Sequence, residues 1–457
     1  MKKLLLLTFA TMLLPMTASA QWDFVSDFPT IADLQFSSTH GIAVDPDGKI
    51  WVQPFSSTDS VEVNGAFELT NVIYVFNSDG TESDLSPIKF LDFSGAEQDT
   101  LGGFINADGG WETRSGRGLR TDADGNILAS QFKTIFKIDY QTGDGLAKNE
   151  FDDYCALSAP AADANGNVFV ASVCSVDGVP LRILDTDLSF IANAVDVVPG
   201  FSRSFEVSSD GNRIYWAGYT TNGVILYERP DEFSAFDSVG VVVPGVDSES
   251  LSFNSATGNL WVSSGSSNDV PNDLEGFDTN WRSNTWYEFD PASLAVNTVP
   301  PFLNFITWNE CETFDENGVC QESAGRPRGL AFSPDGEMAY VTQFSQDAPS
   351  VQAFTEAPFV AIERDDDTVP ESFTLSQNYP NPFNPETRIQ FTLKQAGQAR
   401  LRVFDMLGRE VDVLVNETLT PGTYTATFEA QGLASGTYLY MLEFGDQRLS
   451  GTMTLLK

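Results

Sequence analysis

Residues 41–52 read Gly-Ile-Ala-Val-Asp-Pro-Asp-Gly-Lys-Ile-Trp-Val, so that apolar positions alternate on both sides of an Asp-Pro-Asp-Gly tetrapeptide. Alternation with a period of two is typical of a half-buried β-strand, and glycine supplies the positive φ that a tight turn needs. The stretch therefore predicts a β-hairpin with its turn at Gly48.

The same pattern returns five times along the chain. The later copies begin at Gly118, Ala159, Ser204, Ser250 and Gly329, and the turn glycines of all six are spaced 77, 41, 45, 47 and 78 residues apart. A repeat of about 40–50 residues with four short strands is typical of a propeller blade. We predict six blades, with insertions at 56–69, 96–113, 263–284 and 303–324 filling the two long intervals; seven or eight blades are the alternative.

The hairpin motifs also resemble a known fold family. Segments such as Gly329-Leu-Ala-Phe-Ser-Pro-Asp-Gly336 resemble the six-bladed propellers of the NHL and gluconolactonase or strictosidine-synthase kind, over about residues 40–355. The resemblance implies an all-β propeller, and residues 22–28 could supply the strand that closes its ring. The gluconolactonase-like enzymes hold a divalent cation with a Glu at the start of an early blade. His40 stands at that position here, so the resemblance implies a fold and no activity.

The amino terminus predicts export. Lys2 and Lys3 precede an apolar run at 4–14, and Ala18-Ser-Ala20 supplies a small-x-small cleavage pattern. We expect a signal peptide at 1–20, cut between Ala20 and Gln21. The run is too short to span a bilayer, and we expect no membrane span in the mature protein.

Charge and composition exclude several function classes. The 457 residues carry 25 basic and 64 acidic side chains, a net charge of −39, and one His. Such a surface repels phosphate backbones, so nucleic acid is not an expected partner. A multi-His metal site is excluded, a Ser-His-Asp triad would have to use His40, and no nucleophile elbow is present. We therefore expect no metal and no cofactor, with calcium at the acidic hairpin turns as an alternative.

Four cysteines fit an oxidising compartment. Cys155 and Cys174 lie almost symmetrically about the turn of the third hairpin, and Cys311 and Cys320 bracket a loop. The sequence predicts two local disulfides, Cys155–Cys174 and Cys311–Cys320.

The first strand of each propeller blade lines the central channel, so the residues just before the six first strands should ring one mouth. These are His40, Arg117, Ser158, Arg203, Glu249 and Arg328. Converging arginines in an acidic chain indicate a pocket for an anionic small molecule or glycan, such as a carboxylate, a sulfate or a uronic sugar. The alternative is a ring of structural salt bridges, with Arg120–Glu206 and Arg203–Glu249 as pairs. Arg120 and Glu206 lie three positions further along their strands, and we count them as candidate ligand-binding residues of the mouth, although strict alternation would turn them to the opposite face.

The last part of the chain predicts a second domain. After an acidic linker at 359–370, short alternating strands predict a small Ig-like β-sandwich over 371–457. Its motifs are Asn378-Tyr-Pro-Asn-Pro-Phe-Asn-Pro385, Val403-Phe-Asp-Met-Leu-Gly-Arg-Glu410 and Leu433-Ala-Ser-Gly-Thr-Tyr438. They resemble the type A sorting domain of the bacterial type IX secretion system. The resemblance implies export across both membranes by the outer-membrane secretion machinery, followed by release or surface attachment; an adhesive Ig-like module is the alternative.

The sequence therefore predicts a propeller at 21–358 that acts as an exported ligand- or partner-binding module without catalytic residues. The alternative is a channel-centred hydrolase or lyase acting on a carbohydrate, lactone or ester. Such an enzyme could use a pair of carboxylates from separate blades, for example Glu206 and Glu249.

Overall fold

The computed structural model describes residues 22–29, 38–94, 98–174, 179–218, 223–265, 281, 284–308, 326–344, 350–356, 362–366, 372–395, 397–404, 406, 410–419, 421–430, 433, 435–445 and 447–456. These residues form β-strands and loops, with one 3₁₀ turn at Pro291–Ser293 and no α-helix among them. They fall into two compact units, one within 21–357 and one within 358–457. The predicted cleavage site at Ala20 and Gln21 and the predicted Cys311–Cys320 pair lie outside the described residues.

Six antiparallel sheets follow one another in the described part of the first unit, and we number them 1 to 6 by their first strands. Sheet 1 is Thr39–Val44, Ile50–Pro54 and Tyr74–Phe76; sheet 2 is Gly116–Thr121, Ile127–Gln131, Thr134–Ile138 and Gly145–Glu150; sheet 3 is Ala161–Ala162, Val168–Val170, Leu181–Leu184 and Phe190–Val195. Sheet 4 is Ser204–Val207, Arg213–Gly218, Gly223–Glu228 and Asp237–Pro244; sheet 5 is Leu251–Phe253, Leu260–Ser263, Thr285–Phe289 and Asn304–Thr307; sheet 6 is Arg326–Phe332, Met338–Phe344, Val351–Glu356 and Trp22–Asp27. The first two strands of every sheet are the predicted hairpin.

The polar residue that opens each turn, an Asp in sheets 1 to 3 and a Ser or Asn in sheets 4 to 6, explains why the hairpins form there. Asp45 Oδ1 accepts hydrogen bonds from the amides of Asp47 and Lys49, at 3.0 and 2.9 Å, and Gly48 has φ +79°. Asp122 repeats this arrangement in sheet 2. The side chain thus satisfies turn amides that the strand ladder leaves open.

The order of the sheets is that of a β-propeller. The first strand of each sheet lies beside the first strand of the next, and the first strand of sheet 6 lies beside that of sheet 1. The strand Trp22–Asp27 pairs with Val351–Glu356 and becomes the outer strand of sheet 6, the role expected for residues 22–28. Trp22 is buried there, in edge contact with Trp261 at 5.8 Å, which ties the amino-terminal strand to sheet 5.

The insertion predicted after the first hairpin forms small hairpins of its own. Asp59–Val63 pairs with Ala66–Thr70, Phe90–Leu91 with Asp99–Thr100, and Gly103–Ile105 with Trp111–Thr113. An isolated bridge from Ile73 to Ile88 stands where sheet 1 would carry a fourth strand. The long interval between the first two turn glycines therefore holds an elaborated blade within its described residues.

The predicted disulfide between Cys155 and Cys174 is present, with the two Cα atoms 6.2 Å apart. A bridge between Leu157 and Ser172 lies two residues inside it on each side, so the cysteines are symmetric about the hairpin as expected. The disulfide closes the open end of the sheet 3 hairpin.

The second unit is a sandwich of two four-stranded antiparallel sheets around one core. One sheet is Ile362–Asp366, Gly422–Glu429, Glu386–Leu393 and Thr374–Leu375; the other is Glu410–Leu419, Gly397–Phe404, Gly436–Phe444 and Gln447–Leu455. Within the stretch that we predicted as a linker, 359–370, Ile362–Asp366 instead forms an edge strand that pairs with Gly422–Glu429. Backbone pairing explains the difference, since an edge strand needs hydrogen bonds on one side and no alternating apolar residues.

Candidate functional site

Three of the predicted mouth residues occupy one structural position. His40, Arg117 and Arg328 are each the extra residue where the register between first and second strand shifts by one. A β-bulge of this kind re-aims a side chain and changes which residues share a face. The bulge explains why Arg120, three positions after Arg117, does not turn away as strict alternation predicted.

A glycine follows each of these bulged residues and lets neighbouring first strands approach closely. Gly118 has φ +148°, and a Cβ on it would lie 2.5 Å from the Cβ of Ala159 in the next blade. A side chain at this position would force the two strands apart. The Arg-Gly pair is therefore a unit: the glycine sets the spacing of the strands and the arginine points into the mouth.

The mouth residues meet around a buried carboxylate. Glu249 pairs with Arg328 and with Arg203, whose Nε lies 3.2 Å from Glu249 Oε2. The side chain of Glu249 is fully buried and that of Arg328 is 2% exposed. Arg328 Nε also donates to His40 Nε2 at 3.2 Å. We call His40, Arg117, Arg203, Glu249 and Arg328 the arginine cluster. Ser158, the sixth predicted residue, donates its hydroxyl to the backbone carbonyl of Ala171.

Aromatic rings that the sequence analysis missed hold the arginine cluster. The guanidinium carbons of Arg117, Arg203 and Arg328 lie 5.0, 4.8 and 5.1 Å from the ring centres of Phe55, Phe201 and Phe344. The His40 ring lies between Phe55 and Phe344, at 4.7 and 5.2 Å. A signal was available, because Gln53-Pro-Phe55 and Gln343-Phe344 both place an aromatic residue one or two positions after a Gln at the end of a second strand.

His40 is electrically neutral in this setting. Burial holds its pKa well below 6.5, and the charges of Arg328, Arg203 and Arg117 lower the pKa further. Because Nε2 accepts the bond from Arg328, the ring proton of the neutral His40 is on Nδ1. The cluster thus presents positive charge on its arginines and a neutral donor on its histidine.

Arg117 differs from the other two arginines of the cluster. Among the described residues no hydrogen bond or ion pair reaches its guanidinium, and its Nε is buried without an acceptor. Burial first, and then the charge of Arg203, lower the pKa of Arg117 to about 10. A half-buried guanidinium without a counter-charge is unfavourable for folding, and such groups are enriched at functional sites.

Arg120 and Glu206 form a second pair deeper in the channel. Arg120, in sheet 2, forms an ion pair with Glu206 of sheet 4. Its guanidinium also donates a hydrogen bond to the Leu251 carbonyl of sheet 5 at 3.1 Å. Both structural pairs offered as the alternative reading, Arg120–Glu206 and Arg203–Glu249, are therefore present. Beyond Arg120 and Glu206 lies a cavity of about 1130 Å³ lined by first-strand residues and hairpin turns of sheets 2 to 5.

Glu206 has an unusual protonation equilibrium. Burial raises its pKa to about 7, against the opposing effect of Arg120. Glu249, which the enzyme alternative pairs with Glu206, is held by Arg203 and Arg328 instead. The two carboxylates are thus committed to different arginines.

The hairpin turns were the alternative site for calcium. Asp45 uses Oδ1 for two turn amides and Oδ2 for the indole nitrogen of Trp51 at 2.9 Å. In the part of the chain that is described, no group of three or more His, Cys, Asp or Glu side chains is arranged to hold a metal ion. Calcium binding at the turns stays a prediction.

The motif at 378–385 is anchored in the core of the second unit. Asn378 is buried, its backbone amide donates to the Tyr440 hydroxyl at 3.1 Å, and its Nδ2 donates to Thr387 Oγ1 at 2.9 Å. Phe383 is buried in the core, whereas Tyr379 is 81% exposed. The motif therefore fixes one face of the sandwich and displays an aromatic ring to solvent.

Comparison with known families assigns this unit. Residues 377–454 match the model of the secretion system C-terminal sorting domain, which is that of the type IX system. The chain is therefore exported to a cell-surface or extracellular location, and the sorting domain engages the secretion machinery. No helix in the described residues is long and apolar enough to cross a membrane.

No curated protein matches the chain. Solved structures that it resembles include an extracellular domain from B. thetaiotaomicron, at 11% identity and a TM-score of 0.38, covering 96% of this chain and 58% of that one. A gluconolactonase from Xanthomonas campestris is similar at 13% identity and a TM-score of 0.37, covering 75% of this chain and 98% of that one. The chain thus spans less than two thirds of the first of these structures, and neither similarity is carried over to activity.

Proposed function

We propose that residues 21–357 form a closed, six-bladed propeller that binds an anionic ligand at the arginine cluster, after delivery by the sorting domain. The ligand class is a carboxylate or sulfate carried by a small molecule or a glycan. The succession of first strands from sheet 1 to sheet 6 and back supports the closed ring. The single observation that carries the ligand proposal is the guanidinium of Arg117, which is half-buried and has no ion-pair partner among the described residues.

The arrangement suits an anion for three physical reasons. Arg117 offers forked donors that match carboxylate and sulfate oxygens. The neighbouring Arg203 is fixed by Glu249, so its charge adds attraction without a change of conformation. Low exposure around the cluster reduces screening by water, which strengthens the attraction between opposite charges.

The runner-up function, a hydrolase or lyase that uses Glu206 with Glu249, receives less support. The raised pKa of Glu206 suits this residue to act as a general acid near neutral pH. A two-carboxylate mechanism also needs a second carboxyl group free to act. Glu249 is fully buried and paired with Arg203 and Arg328, so it does not offer one.

Two arginine variants test the proposal because the cluster gives them different roles. We expect Arg117→Ala to weaken binding of sulfated and uronic-acid oligosaccharides at least tenfold on a glycan array, with stability changed by no more than about 1 kcal/mol. Arg328→Ala should lower the free energy of unfolding by about 2–5 kcal/mol, since it removes the main partner of buried Glu249.

Both variants are measured by thermal melting and by binding. If Arg117→Ala melts as far below the wild type as Arg328→Ala, and no anionic oligosaccharide binds the wild type, the cluster is a structural network and the proposal is wrong.

A further inference from the structure

The cavity beyond Arg120 is separate from the arginine cluster. Arg120, Glu206 and Ser252 line it, and each lies three residues along the first strand from a cluster residue. Arg120 bonds to Glu206, to the Leu251 carbonyl and to Ser252 Oγ, at 3.4 Å for the last. It is thereby held across the channel between the cluster and the cavity.

Six carboxylates and three arginines line the cavity, so its wall repels an anion. Asp122 pairs with Lys137 at 2.8 Å, and Glu228 pairs with Arg213 at 2.8 Å. Asp210 accepts from Ser208 Oγ and from the Asn212 amide. Each of these three carboxylates already has a cation or a hydrogen-bond donor, so its remaining lone pairs point in fixed directions. Such a wall does not attract an anion as the arginine cluster does, and its fixed lone pairs can accept hydrogen bonds from hydroxyl groups.

The other lining groups are short polar side chains beside aromatic rings. Asn212 and Ser252 line the cavity, as does the half-buried Phe253, whose ring packs edge to face at 5.8 Å on the buried ring of Tyr215. A pocket with fixed hydrogen-bonding groups and an apolar patch suits a ligand with many hydroxyl groups and apolar ring faces. At about 1130 Å³ the cavity exceeds the range of about 300–1,000 Å³ usual for small ligands, so it has room for several sugar rings.

We propose that this cavity is a second binding site, which takes a neutral oligosaccharide. It is independent of the anion site proposed above, since it is reached from the end of the first strands that carries the hairpin turns. The exported protein would then hold an anionic group and a neutral glycan at opposite ends of one channel.

Filling the cavity tests the proposal without removing an internal contact. Ser209 is exposed, lines the cavity and uses its backbone carbonyl, not its hydroxyl, to bond Ala164. We expect the exported chain to bind at least one of malto-, cello-, xylo-, manno- and chitotetraose in ligand-observed NMR. Ser209→Trp should weaken that binding at least tenfold.

Pro334 is the matched control, because it occupies the same turn position in sheet 6, is exposed, and does not line the cavity. Pro334→Trp and Arg117→Ala should leave the affinity for the tetrasaccharide unchanged within twofold. If none of the five binds, or if binding survives Ser209→Trp, the cavity is not a glycan site. If Arg117→Ala abolishes binding of the tetrasaccharide, the glycan occupies the arginine cluster. The proposal of a second site in the cavity then fails, whereas the proposal of a ligand site at the arginine cluster stands.

Discussion

Replacing Glu249 by Gln removes the negative charge around which the arginine cluster is built. The carboxylate is fully buried, and its partner Arg328 is 2% exposed, so water cannot take over its role. Removing one member of a buried pair costs about 3–5 kcal/mol, chiefly because the other charge is left buried and uncompensated. Arg203 is 21% exposed and adds less to this cost, because solvent screens it.

The loss converts into a shift in melting temperature. A unit of roughly 340 residues has an unfolding entropy of about 0.7 kcal/mol/K. A loss of about 3–5 kcal/mol then lowers the Tm of the propeller by about 4–7 °C. Calorimetry of the exported chain measures it, provided that the transitions of the two units are resolved.

Glu228→Gln is the control of the same chemistry. Glu228 pairs with Arg213 at 2.8 Å, but the two side chains are 38% and 43% exposed. An exposed pair contributes about 0–1 kcal/mol, so the Tm should move by about 1.5 °C or less. If Glu249→Gln shifts the Tm no more than Glu228→Gln does, the reasoning about a buried counter-charge is refuted.

Three further predictions concern the rest of the molecule. The stability of the wild type relative to Glu206→Gln should fall by about 2–3 kcal/mol from pH 5 to pH 8, because the native pKa of about 7 exceeds the ordinary value of 4.5 and folding then disfavours the ionised form; a difference that is constant with pH in urea titrations would contradict the raised pKa. Cys155→Ser together with Cys174→Ser should lower the free energy of unfolding by about 3 kcal/mol, the loop-closure value for a sequence separation of 19, and peptide mapping that finds free thiols at both positions in the wild type would overturn the pairing. Deleting residues 371–457 should leave a folded propeller in the periplasm, and normal surface appearance of the truncated chain would count against the sorting role of 377–454.

The hairpins could be predicted from the sequence because their information is local. Alternation and an Asp-x-Asx-Gly turn are visible within twelve residues, and the strands from Thr39–Val44 to Met338–Phe344 follow them. The bulges at His40, Arg117 and Arg328 could not be predicted. A bulge depends on the register between two strands, and no characteristic amino-acid composition marks it in the sequence.

The ion-pair partners of the site residues were harder to predict than the places of these residues in the fold. The sequence brought the charged residues to one mouth, but which of Arg117, Arg203 and Arg328 pairs with Glu249 depends on side-chain reach across the channel. The role of Phe55 was missed because a single aromatic residue after a strand is usually a packing residue. The strand Ile362–Asp366 was missed because its charged residues carry no alternation.

The most direct test of the anion site uses the one histidine of the chain as a probe. His40 contacts Arg328 and shares the Phe55 ring with Arg117, so an anion bound at Arg117 changes its surroundings. Histidine labelled with ¹³C gives the signals of a single residue in the exported chain, expressed without a histidine tag.

We expect D-glucuronate and inorganic sulfate to shift the His40 resonances saturably, and sodium chloride of equal ionic strength to leave them in place. In Arg117→Ala the same titration should need at least a tenfold higher anion concentration. Resonances of His40 that respond alike to glucuronate, sulfate and chloride, or that respond equally in Arg117→Ala, would contradict an anion site at the arginine cluster.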